Sequence, residues 1–225
     1  QVTEKDENAY SEMLVHPLVQ LLEKKPTKVL IIGGGDGAVA KELLKYKFIK
    51  EIDLVDIDQE VVNLSKRYLI KINYSSLKNN KLNLFYEDAF SYIKNTKNKY
   101  DIIIADRPDP IGAGKSLFKK EFYKHINNII LPEGVSVFQS GVPFFQKKEL
   151  KTVLKDVSKY FKYSGYYLTV VPSYIGGFMA LVWSSNKVDI SKISISKKKY
   201  SVSTNYYNQN ILVSSFIAPN FIKKL

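Results

Sequence analysis

Apolar residues occur along the chain in two alternating patterns. Short stretches typical of strands, some nearly continuously apolar and others, such as 82–86, alternating, lie at 28–32, 51–57, 82–86, 100–105 and 134–139. Elsewhere apolar residues recur every three or four positions, which predicts helices at 8–25, 38–46, 60–69, 90–95, 119–130 and 147–161. Two more strands are predicted at 166–171 and 178–184, and a closing helix at 205–225.

Strands that alternate with helices indicate an α/β fold built on a mostly parallel sheet. The last two predicted strands follow each other without a helix, so we expect the final strand to run antiparallel. In such a sheet, ligands bind in the crevice outside the carboxyl ends of the strands. The residues that directly follow each predicted strand are therefore the first candidates for chemistry.

The first predicted strand runs directly into a glycine cluster, Gly33 to Gly37, that opens a helix. Glycine permits the tight turn and lets a ligand lie against bare backbone, as in nucleotide-binding loops. Asp56 ends the second strand about 20 residues further on, where a carboxylate accepts hydrogen bonds from the hydroxyls of a ribose. The alternatives are a plain turn and a surface aspartate, but strand, glycines and helix occur in the order that a nucleotide site requires.

The loop also indicates which kind of nucleotide derivative to expect. It lacks the Lys-Ser/Thr ending of a phosphate-binding P-loop. It places Asp36 inside the turn, where a carboxylate would repel a pyrophosphate but suit a ligand that carries positive charge. A sulfonium nucleoside with an attached ammonium is such a ligand, and the loop resembles the first motif of S-adenosylmethionine-dependent transferases.

Three further carboxylates follow predicted strands. Asp88 comes after the third strand, and Asp106 and Asp109 come after the fourth. Together with the two aspartates described above, they are expected to converge on one crevice that selects cations. The alternative is that Asp106 and Asp109 merely cap a loop, with Arg107 neutralising them.

The net charge of +12 would ordinarily suggest nucleic acid as a partner. Only two of the cationic residues are arginine, the side chain that forks onto guanine and phosphate, so a solvated lysine surface is the preferred interpretation. There is no cysteine, and no apolar run approaches the roughly 20 residues that span a bilayer. We therefore expect a soluble cytoplasmic protein with small-molecule substrates and no membrane or nucleic-acid partner.

Seven short stretches resemble the spermidine synthase family of polyamine aminopropyltransferases in order and spacing, and the ending from Tyr206 onward resembles its bacterial branch. The seven stretches are Asp6 to Met13, Gly33 to Gly37, Asp56 to Asp58, Asp106 to Gly112, Ser116 to Phe118, Gln139 to Gly141 and Val171 to Tyr174. The resemblance implies a Rossmann-like class I S-adenosylmethionine-transferase fold. It also implies aminopropyl transfer from decarboxylated S-adenosylmethionine to putrescine, which yields spermidine and 5′-methylthioadenosine without a metal or other cofactor.

The family pattern implies a role for each matched residue. Asp106 would be the general base that takes a proton from the attacking amine. The donor would be bound by Gly33, Gly35, Asp36, Asp56, Ile57, Asp88, Ala89 and Ala113. The amine would be bound by Tyr10, Ser11, Glu12, Asp36, Asp106, Asp109, Gln139 and Tyr174.

The chain departs from the family pattern at several of these positions. Ser11 stands where Gln or His is usual, and Ala89 ends what is commonly Gly-Asp-Gly. Arg107 and Pro108 replace two small polar residues, which would place a cation near a cation-binding site. Ala113 replaces a common proline.

The resemblance further implies a division of the chain and a mode of assembly. Residues 1–25 would be the remnant of an N-terminal segment with its linking helix, most of the family's N-terminal β-hairpin domain being absent, and residues 26–225 would form the catalytic domain. A homodimer or higher homo-oligomer is expected. Two alternatives remain open: an S-adenosylmethionine-dependent methyltransferase of the same fold, and a non-catalytic relative that binds nucleoside or polyamine.

Overall fold

The computed structural model describes residues 2–110, 112–192 and 200–223, and the side chain of Ala113 lies outside the described part. The strands, β1 to β7 in chain order, are Lys28–Gly33, Glu51–Val55, Leu82–Phe85, Tyr100–Asp106, Ile130–Gln139, Tyr163–Val170 and Phe178–Ser185. The helices, α1 to α9, are Glu7–Leu21, Ala38–Leu44, Gln59–Tyr68, Ile70–Asn73, Ala89–Asn95, Lys120–Ile129, Lys147–Val157, Gln209–Ser215 and Asn220–Lys223. Short 3₁₀ segments occupy Ser76–Lys78, Gly112–Phe118 and Ile190–Lys192. None of the described helices combines the length and apolarity that crossing a bilayer requires.

The seven strands form one sheet in the order β3-β2-β1-β4-β5-β7-β6. β1 pairs in parallel with β2 and β4, and the parallel pairing continues to β3 on one side and β5 on the other. β7 runs antiparallel between β5 and β6. The expected fold, Rossmann-like α/β with a mostly parallel sheet and an antiparallel last strand, is therefore confirmed.

Each face of the sheet has its own apolar core, because alternate residues of a strand point to opposite sides. Ile31 of β1 joins the core on the side of α1 and α2, where Met13 and Leu43 are fully buried. Leu30 and Ile32 join the core on the side of α5, α6 and α7. Full burial of one such side chain contributes about 1.5–3 kcal/mol, so both helical layers hold the sheet in place.

α1 contains a proline in its middle, which removes one backbone hydrogen bond of the helix. Pro17 has no N–H to donate to the carbonyl of Met13, four residues earlier. The hydroxyl of Tyr167 in β6 donates to this carbonyl instead, at 2.8 Å. The buried carbonyl is thereby paired, and α1 is tied to the edge strand of the sheet.

Several predicted bounds differ from the observed ones by a few residues, and for two elements the reason is visible in the sequence. β5 begins at Ile130 rather than at 134, and its pairing with β4 is irregular between Tyr100 and Ile102. Pro132 lies in this irregular stretch, where the sheet needs no N–H from it. The predicted closing helix is two short helices, because Pro219 interrupts the run.

The parallel arrangement brings the carboxyl ends of β1, β2 and β4 to the same edge of the sheet. β1 and β4 pair in register up to Gly33 opposite Asp106, and β1 and β2 pair up to Ile32 opposite Val55. The strand order reverses between β1 and β4, which is where open α/β sheets bind their ligands. The glycine loop and the residues that follow β2 and β4 therefore meet.

Candidate active site

A cavity of about 610 Å³ opens at the carboxyl ends of β1, β2 and β4. This volume is within the range of ~300–1,000 Å³ that is typical of small-molecule sites. Ten residues that the sequence analysis assigned to donor or amine line it: Tyr10, Gly33, Gly35, Asp36, Asp56, Ile57, Asp88, Ala89, Asp106 and Tyr174.

The glycine loop approaches its neighbours so closely that side chains are excluded. Gly33 has φ +78°, and a Cβ there would lie 2.1 Å from the carbonyl oxygen of Asp106. A Cβ at Gly35 would lie 2.7 Å from Oδ2 of Asp56. Bare backbone is therefore needed for the loop to contact the ends of both neighbouring strands.

Asp56 is held directly after β2 by backbone donors. Its Oδ2 accepts from the Gly35 N–H at 3.0 Å, and its Oδ1 accepts from the Asp58 N–H at 2.9 Å. Asp58 in turn caps α3 by accepting from the N–H groups of Glu60 and Val61. A carboxylate can accept about four hydrogen bonds, so Asp56 retains capacity for ligand hydroxyls.

Asp106 is the last residue of β4, and its carboxyl group borders the cavity. The hydroxyl of Tyr10, in α1, donates to its Oδ1 at 2.6 Å. Burial, followed by the charge of Asp36, raises the pKa of Asp106 to about 7, although the hydrogen bond from Tyr10 acts in the opposite direction. With this pKa, both protonation states of the carboxyl group are populated near neutral pH.

Asp36 is the second acidic group whose ionisation the site opposes. Burial raises its pKa, and the nearby charge of Asp56 acts in the same direction, whereas the hydrogen bond from the Ala38 N–H opposes the shift. Like charges destabilise one another strongly in a partly dry cavity. The three aspartates at the ends of β1, β2 and β4 thus create a site whose unfavourable charge a cationic ligand would relieve.

Two tyrosines line the cavity beside the acidic groups. The rings of Tyr10 and Tyr174 are stacked with their centroids 6.5 Å apart. Burial, followed by the charge of Asp106, raises the pKa of Tyr174 to about 12 and that of Tyr10 well above its ordinary value. Both hydroxyls therefore remain protonated at neutral pH, and their rings offer π faces to an alkylammonium group.

Three more residues that the resemblance assigned to the donor also border the cavity. Asp88 caps α5, where its side chain accepts from the Ser91 N–H at 2.8 Å, and Ala89 is buried directly after it. Ile57 lines the cavity although 60 % of it is exposed, so it offers an apolar surface to a flat ring. The predicted contact of Ala113 lies outside the described residues.

Ser11 and Glu12 are placed away from the cavity. Ser11 is fully buried and donates to the carbonyl of Glu7, one turn earlier in α1. Glu12 is fully buried and accepts from the backbone N–H groups of residues 205–207, so it anchors the C-terminal part of the chain. On a helix whose Tyr10 faces the cavity, the next two residues point elsewhere. This placement gives no support to amine contacts by either residue.

Asp109 and Gln139 are also not among the cavity-lining residues. Asp109 is exposed and accepts from the side chain of Gln146 at 3.1 Å. Gln139 is buried, and its side-chain nitrogen lies 3.5 Å from the sulfur of Met179. The sequence pattern located both at the correct edge of the sheet, but it does not determine the direction of a side chain.

The cavity also contains charged residues that the sequence analysis did not assign. Glu7 lines it and forms a buried ion pair with Lys41 at 2.7 Å. Asp6 accepts from the Ser173 N–H at 2.7 Å, which joins the start of α1 to the turn before β7. Both acidic residues belong to the first motif of the resemblance, so the signal was present in the sequence.

A cluster of residue types that ligate metals is buried between α1 and α2. Glu12, His16 and Glu42 each place one potential ligand atom within 4.8 Å of the other two. His16 is hydrogen-bonded to Tyr46 at 2.7 Å and to Glu42 at 2.8 Å. Two lysines also pair with Glu42, and Glu12 is engaged by backbone donors. We therefore interpret the cluster as a structural network.

The fold and the position of its acidic cavity define the class of the protein. It is a Rossmann-like α/β protein whose site lies where the strand order of a mostly parallel sheet reverses. The family model for the spermine/spermidine synthase domain matches residues 7–194. The chain belongs to the spermine/spermidine synthase family, as the sequence motifs predicted.

Similar proteins and structures agree with this assignment. The polyamine aminopropyltransferase of Buchnera aphidicola subsp. Acyrthosiphon pisum (strain Tuc7) is 41 % identical over 228 residues, covering 99 % of this chain and 79 % of that protein. The polyamine aminopropyltransferase of Ruegeria sp. (strain TM1040) is 37 % identical, covering 100 % of this chain and 81 % of its own length. A crystal structure of spermidine synthase in complex with the transition-state analogue AdoDATO has a TM-score of 0.94 and 32 % identity, covering 100 % of this chain and 77 % of that chain. The chain is an enzyme of the polyamine aminopropyltransferase type.

Proposed function

We propose that this chain transfers the aminopropyl group of decarboxylated S-adenosylmethionine to putrescine, which yields spermidine and 5′-methylthioadenosine. The observation that carries the proposal is the acidic cavity, in which a base with a pKa of about 7 lies beside a second carboxyl group with a raised pKa. Such a site favours dicationic amines and sulfonium nucleosides over anions. The family membership supports the same reaction class.

In this proposal, the donor occupies the part of the cavity between the glycine loop and β2. The bare backbone at Gly33 and Gly35 leaves room for the nucleoside, and Asp56 accepts hydrogen bonds from the ribose hydroxyls. Asp88 and Ala89 bind the edge of the adenine, and the exposed side chain of Ile57 covers its face.

The remaining groups act on the two amines, that of the donor and that of the acceptor. Asp36 binds the ammonium of the aminopropyl group. Tyr10 and Tyr174 line the path of the acceptor, and Asp106 holds its attacking nitrogen. Holding the acceptor nitrogen and the aminopropyl carbon in reacting geometry before the bond forms lowers the activation free energy of the transfer.

The chemical step needs a proton acceptor but no acid. Asp106 takes a proton from the acceptor's ammonium, and the free nitrogen attacks the aminopropyl carbon bonded to sulfur. The N–C bond forms as the C–S bond breaks, and the electron pair of the C–S bond remains on sulfur. Methylthioadenosine leaves as a neutral thioether, so the proposed reaction requires neither leaving-group protonation nor a metal.

The raised pKa of Asp106 lowers the free-energy cost of this proton transfer. An alkylammonium has a pKa of roughly 10.4. Proton transfer from it to a carboxylate with the ordinary pKa of 3.8 would be uphill by roughly 9 kcal/mol. Transfer to Asp106, with a pKa of about 7, is uphill by roughly 5 kcal/mol.

The same acidic groups favour the decarboxylated donor over S-adenosylmethionine itself. The intact molecule carries a carboxylate that Asp36 and Asp106 would repel. Calorimetric titration should therefore show weaker binding of S-adenosylmethionine than of the decarboxylated donor. The Asp36→Asn variant should show a smaller difference between these two affinities. Equal affinities in the wild-type protein would contradict the assignment of the donor.

The proposed function is tested by supplying the decarboxylated donor with putrescine and with longer and branched amines, and by identifying the products by mass. Spermidine and methylthioadenosine formed in equal amounts would support the proposal. A methylated acceptor formed from S-adenosylmethionine would indicate a methyltransferase. Nucleoside binding without any product would indicate a non-catalytic relative.

A further inference from the structure

Arg107 follows the proposed base directly and borders the cavity, but its guanidinium packs on the opposite side of the sheet. Asp106 contacts Tyr10 in α1, whereas Arg107 contacts residues of α6, because successive residues of a strand alternate in direction. Only 2 % of Arg107 is exposed. No carboxylate in the described part of the chain forms an ion pair with it, so it does not neutralise Asp106 or Asp109.

Aromatic rings surround the guanidinium in place of a carboxylate. Its central carbon lies 3.7 Å from the ring centroid of Phe118. It lies 5.5 to 5.6 Å from the ring centroids of Phe122, Tyr123 and Phe138. Contacts with π faces stabilise a desolvated cation, but a buried charge without a carboxylate still costs more than an apolar residue of similar volume. The arginine therefore contributes something that packing alone does not require.

Its hydrogen bonds connect three segments of the chain. The Nε of Arg107 donates to the carbonyl of Gln139, at the end of β5, at 3.1 Å. Its Nη1 donates to the carbonyl of Leu117, in the 3₁₀ segment Gly112–Phe118. Leu117 and Gly114 of that segment line the cavity. One side chain thus links the strand end that carries the base, the neighbouring strand end and part of the cavity wall.

We propose that Arg107 is a positioning residue that fixes the segment Gly112–Phe118 against the ends of β4 and β5, and thereby aligns this part of the cavity wall with Asp106. It acts through the backbone and touches no reacting atom. An apolar residue in its place would leave the carbonyls of Leu117 and Gln139 without this donor. The effect on turnover rests on the proposed function, whereas the effect on the segment does not.

Hydrogen exchange measured by mass spectrometry tests the tie itself. Arg107→Met fills the aromatic surroundings without a donor, and Arg107→Lys retains a charge but lacks the planar fork. Arg67, on the exposed surface of α3, supplies the matched control Arg67→Met. We expect peptides covering 112–118 to exchange at least about tenfold faster in Arg107→Met than in the wild type. The acceleration should be smaller in Arg107→Lys, and the control should exchange at the wild-type rate.

Binding and kinetics then separate positioning from a general loss of stability. Methylthioadenosine should protect residues 112–118 against hydrogen exchange in the wild type but much less in Arg107→Met. Peptides from β1 and α1 of this variant should exchange at the wild-type rate. In transfer assays, the KM for the donor should rise and kcat should fall, with the acid limb of the pH profile unmoved.

Unchanged exchange of 112–118 in the arginine variants would overturn the proposal, and Arg107→Lys decides the question if Arg107→Met does not fold. A wild-type protein without aminopropyl transfer would contradict the proposed function alone, because the exchange measurement needs no turnover.

Discussion

Removal of the Tyr10 hydroxyl tests how the site sets the pKa of Asp106, the proposed base. The hydroxyl donates to Oδ1 of Asp106 at 2.6 Å and stabilises the ionised form. A hydrogen bond to a charged group contributes about 1.5–3 kcal/mol, which corresponds to about 1–2 pKa units. Tyr10→Phe should therefore raise the pKa of Asp106 from about 7 to between ~8 and ~9.

In the proposed mechanism the base works as a carboxylate, so a higher pKa of Asp106 moves the acid limb of the kcat/KM profile to higher pH. At neutral pH, the ionised fraction should fall from about one half to between ~10 % and ~1 %, which lowers kcat/KM about 5- to 50-fold. Above roughly pH 9.5 the variant should approach the wild type. The measurement is a pH profile with saturating donor and varied putrescine.

Tyr174→Phe is the matched control, because Tyr174 stacks on Tyr10 but its hydroxyl makes no hydrogen bond to Asp106. A Tyr10→Phe profile that is uniformly lowered, with its midpoint unmoved, would refute the reasoning.

Three other variants test separate parts of the structure. Asp36→Asn removes the charge that, after burial, does most to raise the pKa of the base, so the acid limb should move to lower pH; movement to higher pH would contradict this. Asp56→Ala removes a charged acceptor and should weaken methylthioadenosine binding about 10- to 100-fold by calorimetry; unchanged affinity would exclude the ribose contact. Tyr167→Phe leaves the Met13 carbonyl unpaired, which should lower the free energy of unfolding by about 1–3 kcal/mol and the Tm by about 2–12 °C, with nucleoside affinity unchanged; an unaltered Tm would count against the proposed pairing.

The strands and the chemistry at their ends could be predicted because both depend on short-range patterns. Apolar runs and helical spacing determined the order of elements, and the order of elements determined a mostly parallel sheet. The carboxyl ends of its strands meet at one edge, so Asp36, Asp56 and Asp106 were expected together, and they do border one cavity.

The rest depends on contacts between distant parts of the chain. Ser11 and Glu12 share a motif with Tyr10, but the rotation of α1 on the sheet decides which of them faces the cavity. Arg107 was expected near the cations of the substrates, and it does border the cavity, but aromatic residues of α6 and β5 surround its guanidinium. No local pattern encodes such packing.

Replacement of Asp106 by asparagine tests the central claim most directly, because it keeps the shape of the side chain and removes the proton acceptor. The turnover number of Asp106→Asn for spermidine formation should fall about 100- to 10,000-fold. Its affinity for methylthioadenosine should stay close to that of the wild type, which shows that the cavity is intact. Turnover near the wild-type level would contradict the assignment of Asp106 as the base.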